Sequence, residues 1–331
     1  MGCLVYTDEN HIDIGVLQSA SLDLDYGGDE ETDNTFQVTI DRSDNIRLEP
    51  FSYVYIEGTE YGGMVVGLDS DTDPSINALF YNGLTWHGLL NAKIIEPDAG
   101  QDHLTVSGEA NSILSSLFVR LDLSELFQAS EKNSGISISN YQFDRYIEGY
   151  TGIKKMLASY GAKLKLEYDG AHVVAWAEPV VDYSEYDTMD PYKMALRMQK
   201  NYLPVNHLVC LGTGELDERI VVHLYADAKG NVSQTQSLFG LMERALKYDY
   251  TSADRETLIE DGTEKLLELQ ACDASEMNLF DDSEYDIGDI VGSYDPDTGL
   301  LLITSIASKI VSIDSEDNIV IEYQNTGRSD T

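Results

Sequence analysis

The chain has 331 residues, 42% of them hydrophobic, which allows two or three domains with real cores and excludes a disordered polymer. Its 59 acidic residues outweigh 21 Lys and Arg to give a net charge of −38, the wrong sign for phosphate-directed nucleic-acid binding or an anionic membrane surface. No run approaches the roughly 20 apolar residues that span a bilayer, so no membrane anchor is expected. The start, Met1 to Gly15, lacks the basic and then apolar regions of a secretory signal. Met1-Gly2-Cys3 opens like a lipidation signal, but Tyr6 stands where Ser or Thr is needed. Cys3, Cys210 and Cys272 form no CxxC pair and read as idle thiols of a reducing cytoplasm.

In chain order, residues 1–106 read as strand and turn. Ser21 to Tyr26 and Thr35 to Ile40 alternate polar and apolar residues, and Val54, Ile56 and Met64 to Leu68 continue the pattern. Gly27-Gly28-Asp29, Ser43-Asp44-Asn45 and Tyr61-Gly62-Gly63 supply the turns. This spacing predicts an antiparallel barrel or sandwich. Residues 107–190 predict a small α/β insertion. Ala110, Ile113, Leu114, Leu117, Phe118 and Leu121 fall at helical spacing. A second helix runs from Thr151, as N-cap, to Tyr160, with Gly161 as its stop. Leu164 and Leu166 form a hairpin with Val173 and Trp176 around Asp169-Gly170.

Residues 191–331 return to strands with a helical insertion around 238–272. Met194, Leu196 and Met198 alternate and favour a strand, although Asp190-Pro191 would equally open a helix. Val205 to Leu211 and Ile220 to Tyr225 follow. Thr251 and Asp254 have capping spacing for a helix to Gln270. Ile287 to Val291, Leu300 to Ile306, Ile310 to Ile313 and Ile319 to Tyr323 are further strands, with turns at Asp297-Thr298-Gly299 and Asp314 to Asn318.

The search for chemistry yields no committed catalytic, cofactor-binding or metal residue. Glu215, Asp217 and Glu218, after Gly212-Thr213-Gly214, are the best carboxylate group for a glycosidase, and read as a solvated loop. Asp69, Asp71 and Asp73 copy the start of a calcium loop, but Pro74 and Phe80 stand where Gly and Glu belong. His207, Cys210 and His223 on adjacent strands suit zinc by residue type, yet read as ordinary sheet positions. Asn231-Val232-Ser233 is a sequon without a sign of export. There is no nucleophile elbow, phosphate loop or dinucleotide fingerprint.

Three ordered segments carry a resemblance. They are Phe80 to Ile95, with Asn82-Gly83, Trp86-His87-Gly88, Leu89-Leu90 and Lys93; Val205-Asn206 with Gly212-Thr213-Gly214-Glu215 and Arg219; and Tyr285-Asp286-Ile287-Gly288-Asp289-Ile290-Val291 with Ile303 to Ile306. In this order they resemble the hub family of phage tail tips, the N-terminal part of tail-associated lysins of siphophages and, more distantly, the hubs of contractile tails. The first segment looks like that family's strand, glycine turn and Leu-Leu step, with Lys93 where the family usually has Arg.

The resemblance implies a mainly β fold with an α/β insertion, in which two tube-like antiparallel β-barrels are joined by a small α/β domain and a helical segment. It implies a homotrimeric ring at the virion tail tip, assembled from protein made in the host cytoplasm. The ring would close the tail tube, contact distal tail, tape-measure and tip or fibre proteins, and let DNA pass without specific binding. No cofactor and no catalysis are expected. The acidic charge fits a conduit that must not hold a polyanion. A peptidoglycan or polysaccharide hydrolase using Glu215, and a glycan-binding tail adhesin, are the rival functions.

Overall fold

Period-2 patterning places the strands. The computed structural model describes residues 3–28, 33–71, 73, 75–184, 194–199, 201–270, 274–279, 285–295, 297–316 and 318–326. It divides into a first unit, Met1–Ala195 with Met277–Val291 and Ser305–Gln324, and a second, Leu196–Glu276 with Gly292–Thr304 and Asn325–Thr331. The fold is mainly β with small α/β parts.

In the first unit, Ser21–Tyr26 buries Leu22, Leu24 and Tyr26 and turns Asp23 and Asp25 to the other face. Thr35–Asp41 likewise buries Phe36, Val38 and Ile40. From Ile319–Thr326 the hydrogen-bonded order runs Leu300–Ile313, Ser21–Tyr26, Thr35–Asp41, Ala78–Thr85, Gly62–Ser70, Tyr53–Ile56, Leu4–Thr7, Asp13–Val16. From Leu300–Ile313 onward each pairing is antiparallel. Side chains from both halves of this order, Leu4 and Val54 as well as Val311 and Ile313, share one core, so the sheet curls around it. Gly83 is needed where strands cross Phe36. A Cβ there would lie 2.2 Å from the Phe36 ring and 2.4 Å from the Met64 carbonyl.

The expected strands at Leu300 to Ile306 and Ile310 to Ile313 are one continuous strand, Leu300–Ile313. Its polar stretch does not break it, because Thr304, Ser308 and Lys309 are buried within it.

Helix α1, Trp86–Asn91, follows directly on Ala78–Thr85. Thr85 Oγ1 accepts from the Gly88 N–H at 3.2 Å and donates to the Asn34 carbonyl at 3.0 Å. Of the strand, glycine turn and Leu-Leu step that the resemblance implied for Phe80 to Ile95, Gly88 lies inside a helix, and glycine is required there by close packing. A Cβ there would stand 2.2 Å from the Asn34 carbonyl oxygen.

Helices α2 (Ala110–Arg120) and α3 (Gly149–Ala158) share a core with a three-stranded sheet in the order Phe127–Ala129, Val173–Pro179, Ala162–Tyr168. Glu109 caps α2, its carboxylate accepting from Ser112 N–H at 2.9 Å and Ser134 N–H at 2.8 Å. Thr151 is not the cap of α3. The helix starts two residues earlier with Glu148 at the N-cap, and the Thr151 N–H donates to Asn91 Oδ1 at 3.1 Å. The hairpin turns where expected: Asp169 Oδ1 accepts from Ala171 and His172 N–H, and Gly170 has φ +93°.

The second unit is built on a four-stranded sheet in the order Val232–Ser233, Val221–Ala226, His207–Leu211, Ala245–Asp249. The last two pair in parallel. Helix α4, Arg255–Gln270, packs Leu258 and Leu266 with Leu208, Cys210, Val222 and Leu224. Of the two expected capping residues, Asp254 does the work, its Oδ1 accepting from Glu256 and Thr257 N–H. Within 238–272 the helix thus occupies only its second half, and Ala245–Asp249 is strand.

Met194–Gln199 is a strand, while Asp190-Pro191 and Cys272 lie outside the described residues. Among the described residues, no helix is long and apolar enough to cross a membrane.

Candidate functional site

The residues with the best claim to hydrolytic chemistry occupy the surface. Glu215, Asp217 and Glu218 are all exposed, on or beside a single 3₁₀ turn, Leu216–Glu218. None is withdrawn from water in the way that splits a catalytic carboxyl pair. The surrounding motif is architectural. Gly212 admits no Cβ, which would lie 2.6 Å from the Ala253 carbonyl, and Gly214 has φ +101°. Arg219 Nε donates to the Gly212 carbonyl at 3.0 Å, and its guanidinium pairs with Asp249. Asn206 receives the Arg244 N–H at 2.9 Å and donates to the Met242 carbonyl at 2.7 Å.

The calcium-like carboxylates are spent on turns and on the sheet. Asp71 Oδ1 accepts the Asp73 N–H, and Asp73 Oδ1 accepts from the Ser75 N–H and hydroxyl. Thr72 and Pro74 lie outside the described residues. Asp69 instead joins a polar chain on the open face of the first sheet. Asn82 Nδ2 donates to Asp69 Oδ2 at 2.7 Å, and Gln37 Nε2 donates to Asn82 Oδ1 at 2.9 Å. Asp23 stands opposite Gln37 in the ladder, and Asp25 opposite Thr35. Partial burial, together with the neighbouring Asp33 charge, holds the Asp25 carboxyl above its ordinary range. Asp23, Asp25, Gln37, Asn82 and Val66 border a groove of about 500 Å³ on this face.

The run of strands from Leu300–Ile313 to Asp13–Val16 contains Asp13, Asp23, Asp25, Asp41 and Asp69, no Arg, and a single Lys, Lys309. Lys309 turns inward with 2% of its side chain exposed, and its Nζ donates to Glu60 Oε1 at 2.9 Å. Among the described residues, the open face around Asp23, Asp25, Asp69, Gln37 and Asn82 is thus lined by carboxylates and amides without a cation.

Behind it lies an ion cluster that sequence reasoning missed. Asp286 and Asp289 of the third motif converge on Lys163, whose Nζ donates to Asp289 Oδ1 at 2.7 Å and Oδ2 at 2.9 Å, and to Asp286 Oδ2 at 2.7 Å. Lys165 also binds Asp286. Asp289 further accepts from Val181 N–H at 2.9 Å and Asp286 N–H at 3.0 Å. Burial alone would push the Lys163 ammonium down, but its two carboxylates outweigh that and raise it. Burial likewise opposes the Asp286 charge, yet Lys163 and Lys165 carry its carboxyl down to about 2.

Tyr26 OH donates to Glu60 Oε1 at 2.9 Å and stacks on His87 at 4.8 Å. His87 is 2% exposed with no partner for Nδ1 among the described residues, and burial lowers its pKa to about 4.

Of the zinc candidates, the structure unites two and separates the third. His207 Nε2 and His223 Nδ1 are 2.8 Å apart. Cys210 points to α4, because residues three apart on a strand face opposite ways. A Cβ on Gly262 would touch the Cys210 Sγ at 2.7 Å, and burial pushes this thiol up to about 11. Glu243 takes the expected place of the cysteine, with Oε1 2.6 Å from His207 Nδ1. Asn231, of the sequon, bonds to Asp227 in an exposed turn.

No protein-family profile and no curated protein sequence matches this chain. Solved structures do. The 43 kDa tail protein of prophage MuSo2 from Shewanella oneidensis is similar with a TM-score of 0.56 at 11% identity, covering 98% of this chain and 96% of that one. The tail protein of Neisseria meningitidis MC58 gives a TM-score of 0.52 at 12% identity, with 98% and 95% covered. A prophage tail protein of Listeria monocytogenes EGD-e gives 0.50 at 13% identity, with 99% and 95% covered. Over nearly its whole length, the chain has the fold of phage tail proteins.

Proposed function

We infer that this chain is a structural protein of a phage-type tail, acting as the hub at its tip. Several copies form a ring, most simply a trimer with two barrel-like regions per chain, which closes the tail tube, carries the distal tip proteins and lets DNA through. The work is assembly and conduction, with no bond made or broken. The observation that carries this reading is the open face around Asp23, Asp25 and Asp69, which among the described residues holds no cation. DNA held by phosphate contacts would stall, and a face of Asp23, Asp25, Asp69, Gln37 and Asn82 offers it none. The shared fold with prophage tail proteins supports the same conclusion.

Sheet edges that carry no further strand among the described residues support ring formation. Asp13–Val16 ends the first sheet, with Ile12, Ile14 and Val16 63%, 57% and 40% exposed. Ala245–Asp249 ends the sheet of the second unit. Unpaired edges invite association, and two different edges on one chain suit head-to-tail contacts that close into a ring.

Light scattering coupled to size exclusion, then negative-stain imaging, tests the assembly. Trimeric rings with a central hole are expected. A monodisperse monomer that also joins no distal tail, tape-measure or tip protein would overturn the reading.

A further inference from the structure

The sheet of the second unit carries a ring cluster that a role in the tail does not use. On the face turned away from α4, His207 stacks on Tyr225 at 4.3 Å, and the His207 and His223 rings lie 5.1 Å apart. His207 Nε2 meets His223 Nδ1 at 2.8 Å, and His207 Nδ1 meets Glu243 Oε1 at 2.6 Å. A carboxylate only accepts, so His207 carries its proton on Nδ1 and presents the Nε2 lone pair towards His223. A carboxylate that fixes the tautomer of one imidazole and leaves its other nitrogen free is the outer arrangement of histidine metal ligands.

We propose that His207 Nε2 and His223 Nδ1 form a two-nitrogen site for a divalent first-row transition ion, with Glu243 as the positioning residue and water completing the coordination. Without the ion, the proton on His223 Nδ1 bridges the two nitrogens; binding replaces that proton at Nδ1, and neutral His223 then carries its one proton on Nε2, with no net proton released. Imidazole ligands suit copper, nickel and zinc and discriminate against magnesium and calcium. Two nitrogens each about 2.0–2.1 Å from a tetrahedral ion stand about 3.4 Å apart, so the pair must open by about half an ångström. The two rings divide that task. His207 is 8% exposed and held by Glu243 and Tyr225, whereas His223 is exposed and free to turn. Among the described residues, no three His, Cys, Asp or Glu side chains gather as a metal-ligand group, so binding rests on these two nitrogens.

Calorimetry on the full chain with zinc, nickel and copper chlorides tests this, with magnesium chloride as the probe of binding to carboxylates alone. One saturable step per chain is expected for the three transition ions, with shifts of the His207 and His223 ring resonances and none from magnesium. H223A, at an exposed position that leaves the fold intact, should abolish the step. E243Q should weaken it about 10–100-fold by loosening His207. Absence of the step, its survival in H223A, or an equal response to magnesium would overturn the site. None of these outcomes bears on ring assembly, which is read separately from particle size.

Discussion

Replacing Lys163 by Met is the sharpest probe of what holds the first unit together. Lys163 and Asp289 have side chains 3% and 1% exposed, and the ammonium makes three hydrogen bonds to carboxylate oxygens. Removing one partner of such a buried pair costs about 3–5 kcal/mol, because the remaining charge stays buried without its counterion. The lower end applies here. Asp286 keeps Lys165, and Asp289 keeps the N–H groups of Val181 and Asp286. For a cooperative unit of this size, about 3 kcal/mol lowers the melting temperature by about 6–12 °C. Urea unfolding and calorimetry should record the loss in K163M.

The decisive comparison is K163M/D289N, in which the orphaned charge is gone and the amide oxygen still accepts from Val181. The double variant should be no less stable than K163M. A K163M cost below about 1 kcal/mol, or two effects that simply add, would show that Lys163 does not neutralise Asp289 and would refute the argument.

Three further predictions follow from particular contacts. The His87 pKa of about 4 lies below the ordinary 6.5, so between those values the unfolded chain binds the extra proton. Stability is therefore full above about pH 6.5 and falls as the pH drops towards 4, by at most about 3 kcal/mol, in pH-dependent urea titrations. H87F should flatten that window, and an unchanged slope would exclude His87 as its source. G83A should cost about 2–3 kcal/mol by overpacking Phe36 and the Met64 carbonyl. G67A, whose Cβ meets Asn82 at an ordinary 3.7 Å, is the matched control, and equal losses by chemical denaturation would contradict the packing argument. Finally, Q37K with N82K puts two cations on the open face without touching the core. DNA release through tails assembled with it should slow and become salt-dependent, and an unchanged rate would remove this face from the DNA path.

What the sequence revealed, and what it hid, divides by range. Alternation at Ser21–Tyr26 and Thr35–Asp41, the Asp169-Gly170 turn and the Asp254 cap were legible because each rests on residues a few positions apart. Helix α1 was not, since WHGLLN is a single short helix whose interior glycine reads as a turn until Asn34 is seen above it. Glu109 escaped because carboxylates one methylene longer than Asp are uncommon caps. Strand parity alone would have parted Cys210 from His207, but nothing local announces Glu243, which arrives through a parallel strand after a long crossover. Lys163 and Asp289 are 126 residues apart, and no periodicity links them. The Gly-Asp motif looked like a strand signature, whereas its aspartates bind lysines of the hairpin Ala162–Pro179.

That pairing also accounts for how so acidic a chain stays folded while keeping one face clear of positive charge. With 21 cations against 59 carboxylates, the placement of each cation matters. In the first unit Lys163 and Lys309 are withdrawn from solvent onto Asp286, Asp289 and Glu60, and Lys165, partly exposed, also binds Asp286. Arg120 is committed to the Glu96 carbonyl and Asp98, and Arg42 to Ser70 and the Asp71 carbonyl. The buried lysines relieve repulsion where carboxylates crowd and present little free charge outside. A random distribution of the same residues would have put lysines among the polar positions of the sheet. Confinement of Lys309, the one cation from Leu300–Ile313 to Asp13–Val16, to the core side is therefore a property of the fold that net charge alone does not deliver, and it is what the proposed passage of DNA would require.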